Sequence, residues 1–339
     1  MRKPFWFIFL LLAAIGLLLH YHFWLVPADQ IQNEDMYYIW LEGKRIAIGE
    51  NPYARVLAGN LRDNDKYATY FPVVYLFSAL AYKLGIQSYH DWLYLWRPVS
   101  FACHMGIVGL TLGYFQRRGL LLMGTAAASI LLLGRWSIYI VRVHHLEFAA
   151  IFCLLLSLML LQTRTKLALL LFSVSLGIKQ IAIFLLPLYL IWLWRKSAQV
   201  SIQQRLQEVT IGVLLIAVVP CVTSLPFVLW NAEGFLKSVL FSATRSASNH
   251  IDKAPSLDAI FSKDYPWIVG FRAKLPMLTL MGLLYLSFLT EKVGLFLTSA
   301  IVMATFVYFN SVLFLQYFIW PLSLVPFALV ESKVLRQRN

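Results

Sequence analysis

The chain has 339 residues, 60% of them hydrophobic and 13% charged, with a mean hydropathy of +0.70 and a formal net charge of +13. A water-soluble protein of this length cannot cover that much apolar surface, so the composition points to a polytopic membrane protein. The positive excess suits cytoplasmic loops and anionic membrane lipid. Nucleic acid is excluded as a partner, because the basic and aromatic clustering of an RNA-binding module is missing.

Arg2 and Lys3 precede an apolar run from Phe5 to Val26, too long for a signal-peptide core and without a small-x-small cleavage site. It reads as a first membrane helix leaving the cytoplasm. Residues 27–70 then form a first outer loop, too long for a simple connection and therefore functional in character. Phe71–Lys83 is apolar and aromatic enough to span. If it did, Arg117-Arg118 would emerge outside, so it is expected to lie as an interfacial helix over 71–83, with Trp92–Phe115 as the second span.

Further spans are expected near Gly119–Val141 and Leu146–Gln162. Leu167–Trp194 carries basic loops at both ends and would be about 42 Å long as one helix. Two short arms meeting near Gly177-Ile178-Lys179-Gln180 satisfy the charge rule, and a broken helix at membrane depth lines protein or a watery cavity. Val209–Trp230, Leu275–Thr290, Gly294–Phe309 and Val312–Val330 complete about ten crossings, separated by a second long outer loop over 231–274. The expected fold is all-α: one integral-membrane helix bundle over 1–339 with both termini in the cytoplasm. Cys103, Cys153 and Cys221 lie in apolar runs and form neither a disulfide framework nor a zinc pattern.

Polar chemistry gathers in the outer segments. Glu34-Asp35 follows closely on the first helix, where a carboxylate either serves as a general base on a hydroxyl or caps a helix. Arg97, near the start of the second span, either snorkels or binds phosphate. Lys179 at mid-membrane costs roughly 2.5–3.5 kcal/mol on insertion scales, and its place at a helix break points to an anionic partner. His144, His145 and Glu147 stand at an outer edge without zincin spacing, which suits interfacial or acceptor-binding residues. Lys237, Arg245, His250 and Lys253 make the later loop positive and suited to phosphate, while Phe235, Leu236, Val239 and Leu240 repeat as on an amphipathic surface helix. There is no nucleotide cradle, Walker pattern or nucleophile elbow.

Seven short pieces recur in family order. They are Asp35-Met36-Tyr37; Gly49-Glu50-Asn51-Pro52-Tyr53; Tyr70-Phe71-Pro72; Leu84-Gly85 with Arg97-Pro98; Gly177-Ile178-Lys179-Gln180 with Leu186-Pro187; Leu225 to Trp230 with Phe235; and Gln316 to Trp320. Together they resemble the GT-C superfamily of membrane glycosyltransferases. More narrowly, they resemble the bacterial polyprenol-phosphate-mannose-dependent mannosyltransferases of glycosyltransferase family 87, distantly related to the GPI mannosyltransferase I type. The resemblance implies a polyprenyl-phosphate-linked sugar donor, a glycan or glycolipid acceptor, and a site on the extracytoplasmic face of a bacterial cell membrane. It implies Asp35 as catalytic base and Lys179, Arg97 and Arg245 as donor-phosphate ligands. Glu34, Tyr37, Tyr70, His144, His145, Gln180 and Gln316 would support the acceptor or the site. Relatives often pair two Asp as Asp-x-Asp, whereas Asn33 stands two positions before Asp35 here. No cofactor is implied, and metal dependence is left open. A carrier or flippase of a lipid-linked anion, or a lipid-linked-oligosaccharide ligase or polymerase, are the competing readings. Against the carrier, no second broken helix and no internal repeat is found.

Overall fold

The computed structural model describes residues 3–32, 34–58, 68–244, 256–265, 267, 271–310 and 313–336, and among these every regular element is helical. In chain order the α-helices are α1 (Lys3–Trp24), α2 (Asp35–Ala47), α3 (Val73–Lys83), α4 (Tyr89–Gln116), α5 (Leu121–Leu133), α6 (Arg135–Val143), α7 (Glu147–Leu160), α8 (Thr165–Ile178), α9 (Leu186–Lys196), α10 (Ile202–Thr244), α11 (Leu257–Asp264), α12 (Phe271–Leu289), α13 (Leu295–Phe309) and α14 (Ile319–Arg336). Every expected span coincides with a helix or a helix pair.

Among the described residues, four helices are long and apolar enough to cross a membrane: α1, α4, α10 and α12. The bent pair α5 and α6, turned by 43° at Gly134, makes a fifth. The other expected spans fall on α7, α8, α9, α13 and α14, all shorter than the roughly 20 residues a perpendicular crossing needs. Large apolar side chains stand exposed along α1 (Phe7, Leu11, Leu18), α10 (Leu214, Val222, Leu229) and α12 (Leu275, Leu283, Leu286). Such stripes are untenable in water and ordinary against lipid. The chain is an integral membrane protein.

The expected break at Lys179 is present. Helix α8 stops at Ile178, Lys179 is extended (φ −151°, ψ 115°), a 3-10 turn runs from Gln180 to Leu185, and Pro187 is in the first turn of α9, where a missing N–H does no harm. Neither the bend at Gly134 nor a further interruption in α10 was expected. Helix α10 is kinked at Asn231 (φ −160°, ψ 92°), whose side-chain oxygen accepts from the Gly234 N–H at 2.8 Å and so caps the second arm.

The chain folds as two compact units. The first comprises Met1–Leu110, Leu132–Ile181 and Leu215–Ala243. In it, α2 lies on α3 where Gly43 meets Ser78, with Met36, Ile39 and Glu42 also buried on one helix face. Helices α7 and α8 are joined by hydroxyls: Ser157 donates to the Ala168 carbonyl at 2.6 Å and Ser175 to that of Ala150 at 2.8 Å. Gly177 admits Val73 and Val219, drawing α3 and α10 onto the end of α8. His20 and His104 form a buried ring-nitrogen contact of 3.1 Å between α1 and α4. The second unit comprises Thr111–Leu131, Ala182–Leu214 and Thr244–Asn339. There the Glu331 carboxylate accepts from the N–H groups of Leu295, Phe296 and Leu297, which open α13. A carboxylate at a helix N-terminus satisfies donors that have no partner within the helix.

Candidate active site at the start of helix α2

Asp35 is the first residue of α2 and Glu34 its N-cap, in extended conformation. Carboxylates are favoured there by the helix dipole, and both remain partly accessible, Glu34 at 31% and Asp35 at 15%. Asp35 Oδ2 accepts from the Tyr70 hydroxyl at 2.8 Å and lies 3.1 Å from His145 Nδ1. The other ring nitrogen, His145 Nε2, lies 3.3 Å from Glu34 Oε2. One imidazole therefore bridges two consecutive carboxylates, with Glu147 Oε2 3.7 Å behind it. Burial alone would lower the His145 pKa, but Asp35, Glu34 and Glu147 outweigh it and hold the ring up at about 9, so an imidazolium faces Asp35 at neutral pH.

Beneath this pair lies Lys179. Its ammonium is ion-paired with Glu147 Oε1, both groups fully buried, and stands 5.3 Å over the Tyr70 ring. Tyr70 itself is fixed through its backbone. Its carbonyl accepts from the Tyr53 hydroxyl at 2.8 Å, its N–H donates to the Tyr75 hydroxyl at 3.3 Å, and the neighbouring Thr69 carbonyl accepts from Gln180 Nε2 at 2.6 Å. Tyr53 is positioned in turn by Asn51, whose Oδ1 accepts its N–H at 3.0 Å, and by edge-on packing against Phe227 and Phe235. Gly234 leaves room for the Tyr53–Ala54 backbone against the second arm of α10: a Cβ there would lie 2.9 Å from the Tyr53 carbonyl oxygen and 3.0 Å from the Ala54 Cα. Five of the short pieces singled out in the sequence thus converge on Asp35.

His144 and His145 occupy the turn between α6 and α7 and serve different partners. His144 Nε2 accepts from Arg97 Nε at 3.1 Å, and the His144 carbonyl from Trp96 Nε1 at 2.8 Å. Arg97 also donates to the carbonyls of Trp24 at 2.8 Å and Val26 at 3.1 Å, closing the C-terminal end of α1. With Trp24, Asp29, Gln32, Tyr89 and Tyr94 it lines a groove of about 670 Å³, within the usual range of a small-ligand site. Among the described residues no carboxylate is paired with this buried guanidinium.

Residues 114–247 match the family model described as ALG3 protein. That is a family of membrane mannosyltransferases, and the match supports a membrane glycosyltransferase using a lipid-linked sugar. It gives no support to the narrower bacterial family or to a bacterial cell membrane. No curated protein and no solved structure matches the chain. The matched stretch carries His144, His145, Glu147, Lys179 and Gln180, while Glu34, Asp35, Tyr70 and Arg97 lie before it.

Other residues named from the sequence are placed differently. Tyr37 packs edge-on against Tyr89 at 5.1 Å, part of the aromatic wall behind α2. Gln316 is buried in the second unit, in the 3-10 turn Leu315–Phe318. Arg245 and Asn33 lie outside the described residues. The expected amphipathic repeat of Phe235 to Leu240 is helical, with Phe235 on the Tyr53 side and Leu236 and Leu240 exposed. Among the described residues no group of three His, Cys, Asp or Glu side chains is arranged to hold a metal ion. Sequence reasoning left out a second buried carboxylate, Glu42, bonded by Arg55 at 2.6 Å and faced by Arg45 at 3.5 Å. Burial pushes Glu42 up to about 7 against the pull of both arginines. Its signal was available: Glu42 follows Asp35 by two helical turns on the face of Met36 and Ile39.

Proposed function

We propose that the protein transfers a sugar from a polyprenyl-phosphate carrier to an acceptor hydroxyl, with inversion at the anomeric carbon. By the family likeness the sugar is mannose. The observation that carries this reading is Asp35: a partly accessible carboxylate at a helix start, held on one oxygen by Tyr70 and faced by the His145 imidazolium. Such a group is oriented to accept a proton from a hydroxyl as its oxygen attacks carbon 1 of the donor. The new glycosidic bond forms as the bond from carbon 1 to the phosphate oxygen breaks, and the electron pair leaves with the lipid phosphate. Charge accumulating on that phosphate requires a fixed cation nearby.

We assign the phosphate to the groove lined by Arg97, whose buried guanidinium has no carboxylate partner among the described residues and keeps unused N–H groups. Lys179, neutralised by Glu147 and lying over Tyr70, supports Tyr70 and through it Asp35. Direct displacement puts base and leaving group on opposite sides of the anomeric carbon. The adjacent residues His145 and His144, one on Asp35 and the other on Arg97, suit that division.

The deciding experiment is transfer from synthetic polyprenyl-phosphate mannose by the purified protein, wild type against Asp35→Asn. Loss of transfer with retained folding and donor binding supports the assignment, and normal turnover in Asp35→Asn overturns it. Movement of the lipid phosphate across vesicles without any transfer would favour a carrier instead.

A further inference from the structure

We propose that His144 is a positioning residue whose left-handed backbone, clamped by Trp96 and Arg97, aims His145 at Asp35. This rests on the transferase reading above. His144 has φ 56° and ψ 36°, and among the described residues it and Glu291 are the non-glycine residues with positive φ. Glu291 sits in an exposed turn, whereas His144 is wholly buried. A helix that ends in this conformation ordinarily places glycine there, because a Cβ is disfavoured in the left-handed region. Residues held so persist where the surroundings over-determine them, and they cluster at functional sites.

The surroundings here do over-determine it. The His144 N–H bonds the Ile140 carbonyl, its own carbonyl takes the Trp96 indole, and its ring takes Arg97 Nε. Glycine would accept the backbone but supply nothing to Arg97, so the imidazole is the part that the helix end alone does not explain. Burial, then Arg97 and His145, lower the His144 pKa to about 3, which keeps Nε2 a lone-pair acceptor for the guanidinium. The left-handed step redirects the chain between α6 and α7. It sends His144 toward α4 and delivers His145 to the opposite side, against Glu34 and Asp35 from α2, Glu147 from α7 and the Tyr139 ring from α6 at 6.1 Å.

The test compares His144→Gln, His144→Gly and His144→Ala in the full-length purified protein, with two readouts. Gln carries its amide oxygen where the imidazole carries Nε2 and so keeps an acceptor for Arg97. Gly keeps the backbone and lacks the acceptor, and Ala lacks both. Expected for Ala is a fall in kcat of about tenfold or more at unchanged donor KM, with Gln and Gly each restoring part of it. The second readout is the His145 titration by NMR of histidine labelled with ¹⁵N. It should stay near 9 for Gln and drop toward the ordinary value of about 6.5 for Ala. Lowered thermal stability in all three variants with the His145 titration unmoved would reduce His144 to a structural helix end and overturn the proposal. Wild-type kcat and titration in the Gly variant would also overturn it, even if Ala failed to fold. Should the wild type transfer no sugar, the transferase reading falls, and the His145 titration alone still decides the positioning role.

Discussion

Lys179 and Glu147 form an ion pair in which both side chains are removed from solvent, joining the break after α8 to the first residue of α7. Two charges withdrawn from water are stable only together. Lys179→Ala, which takes the nearest cation from the buried Glu147 carboxylate and leaves it only the more distant His145, should cost about 3–5 kcal/mol. The double change Lys179→Met with Glu147→Leu should recover most of that loss. Reversible denaturation in mixed micelles measures both, and equal losses in single and double variants would contradict the pairing. Turnover should fall even in the double variant, because Tyr70 loses the cation over its ring.

Tyr70→Phe removes the hydroxyl that donates to Asp35 and leaves the ring packing with Tyr75 in place. A hydrogen bond to a charged group contributes about 1.5–3 kcal/mol. Turnover should therefore drop by roughly ten- to a hundredfold with little change in donor KM. Steady-state kinetics on synthetic donor decides it, and a purely KM effect would place Tyr70 in binding instead.

The pH dependence follows from His145, whose folded pKa of about 9 lies above its ordinary 6.5. A proton held more tightly in the folded state contributes stability that is fully present below about 6.5 and is lost as pH rises through 9. Melting temperature should decline across that window, and turnover should show a basic limb near 9. In Asp35→Asn the decline should begin at lower pH, because the main charge holding the proton is gone. Melting curves from pH 6 to 10 on both proteins provide the check, and superimposable curves would remove His145 from the pair.

Gly43 is where α2 rests on α3. A Cβ there would lie 2.4 Å from Ser78 Cβ and 2.9 Å from the Ala79 nitrogen, part of the backbone. Gly43→Ala should cost about 1–3 kcal/mol by overpacking and shift the helix that begins with Asp35. The melting temperature should fall together with turnover. Loss of neither would mean that α2 can be displaced without consequence for the site.

Much of the membrane architecture was legible because apolar runs and basic loops are read directly from composition. The break at Lys179 was legible for the same reason: a cation inside an apolar run needs a partner. The partner was harder to identify. Glu147 stood in the sequence as an edge residue, and only the packing of α7 on α8 brings it under Lys179. Helix α2 was hidden inside a segment read as loop, since its polar and charged residues mask the buried face of Met36, Ile39 and Glu42. The kink at Gly134 was missed although Gly134-Arg135 interrupts the apolar run there, because Gly119–Val141 as a whole has the length and hydropathy of one span. Arg97 was read as a choice between snorkelling and phosphate binding, yet most of its donors meet carbonyls and His144, contacts that no local pattern encodes.

The hydroxyl-joined pair α7 and α8 has a consequence for biosynthesis. Glu34 and Asp35 leave the ribosome more than a hundred residues before His145 and Lys179, the cations of their cluster. Through that interval two neighbouring carboxylates must stay hydrated, because no counter-charge from the cluster has yet been made. Once α7 and α8 are both in the bilayer, the bonds from Ser157 and Ser175 fasten them to each other whatever the bilayer thickness, and Glu147 meets Lys179 as part of the same event. The first outer segment can settle only after that. A variant that slows the joining of α7 to α8 should therefore show itself as prolonged protease sensitivity around Asp35, far upstream of the change.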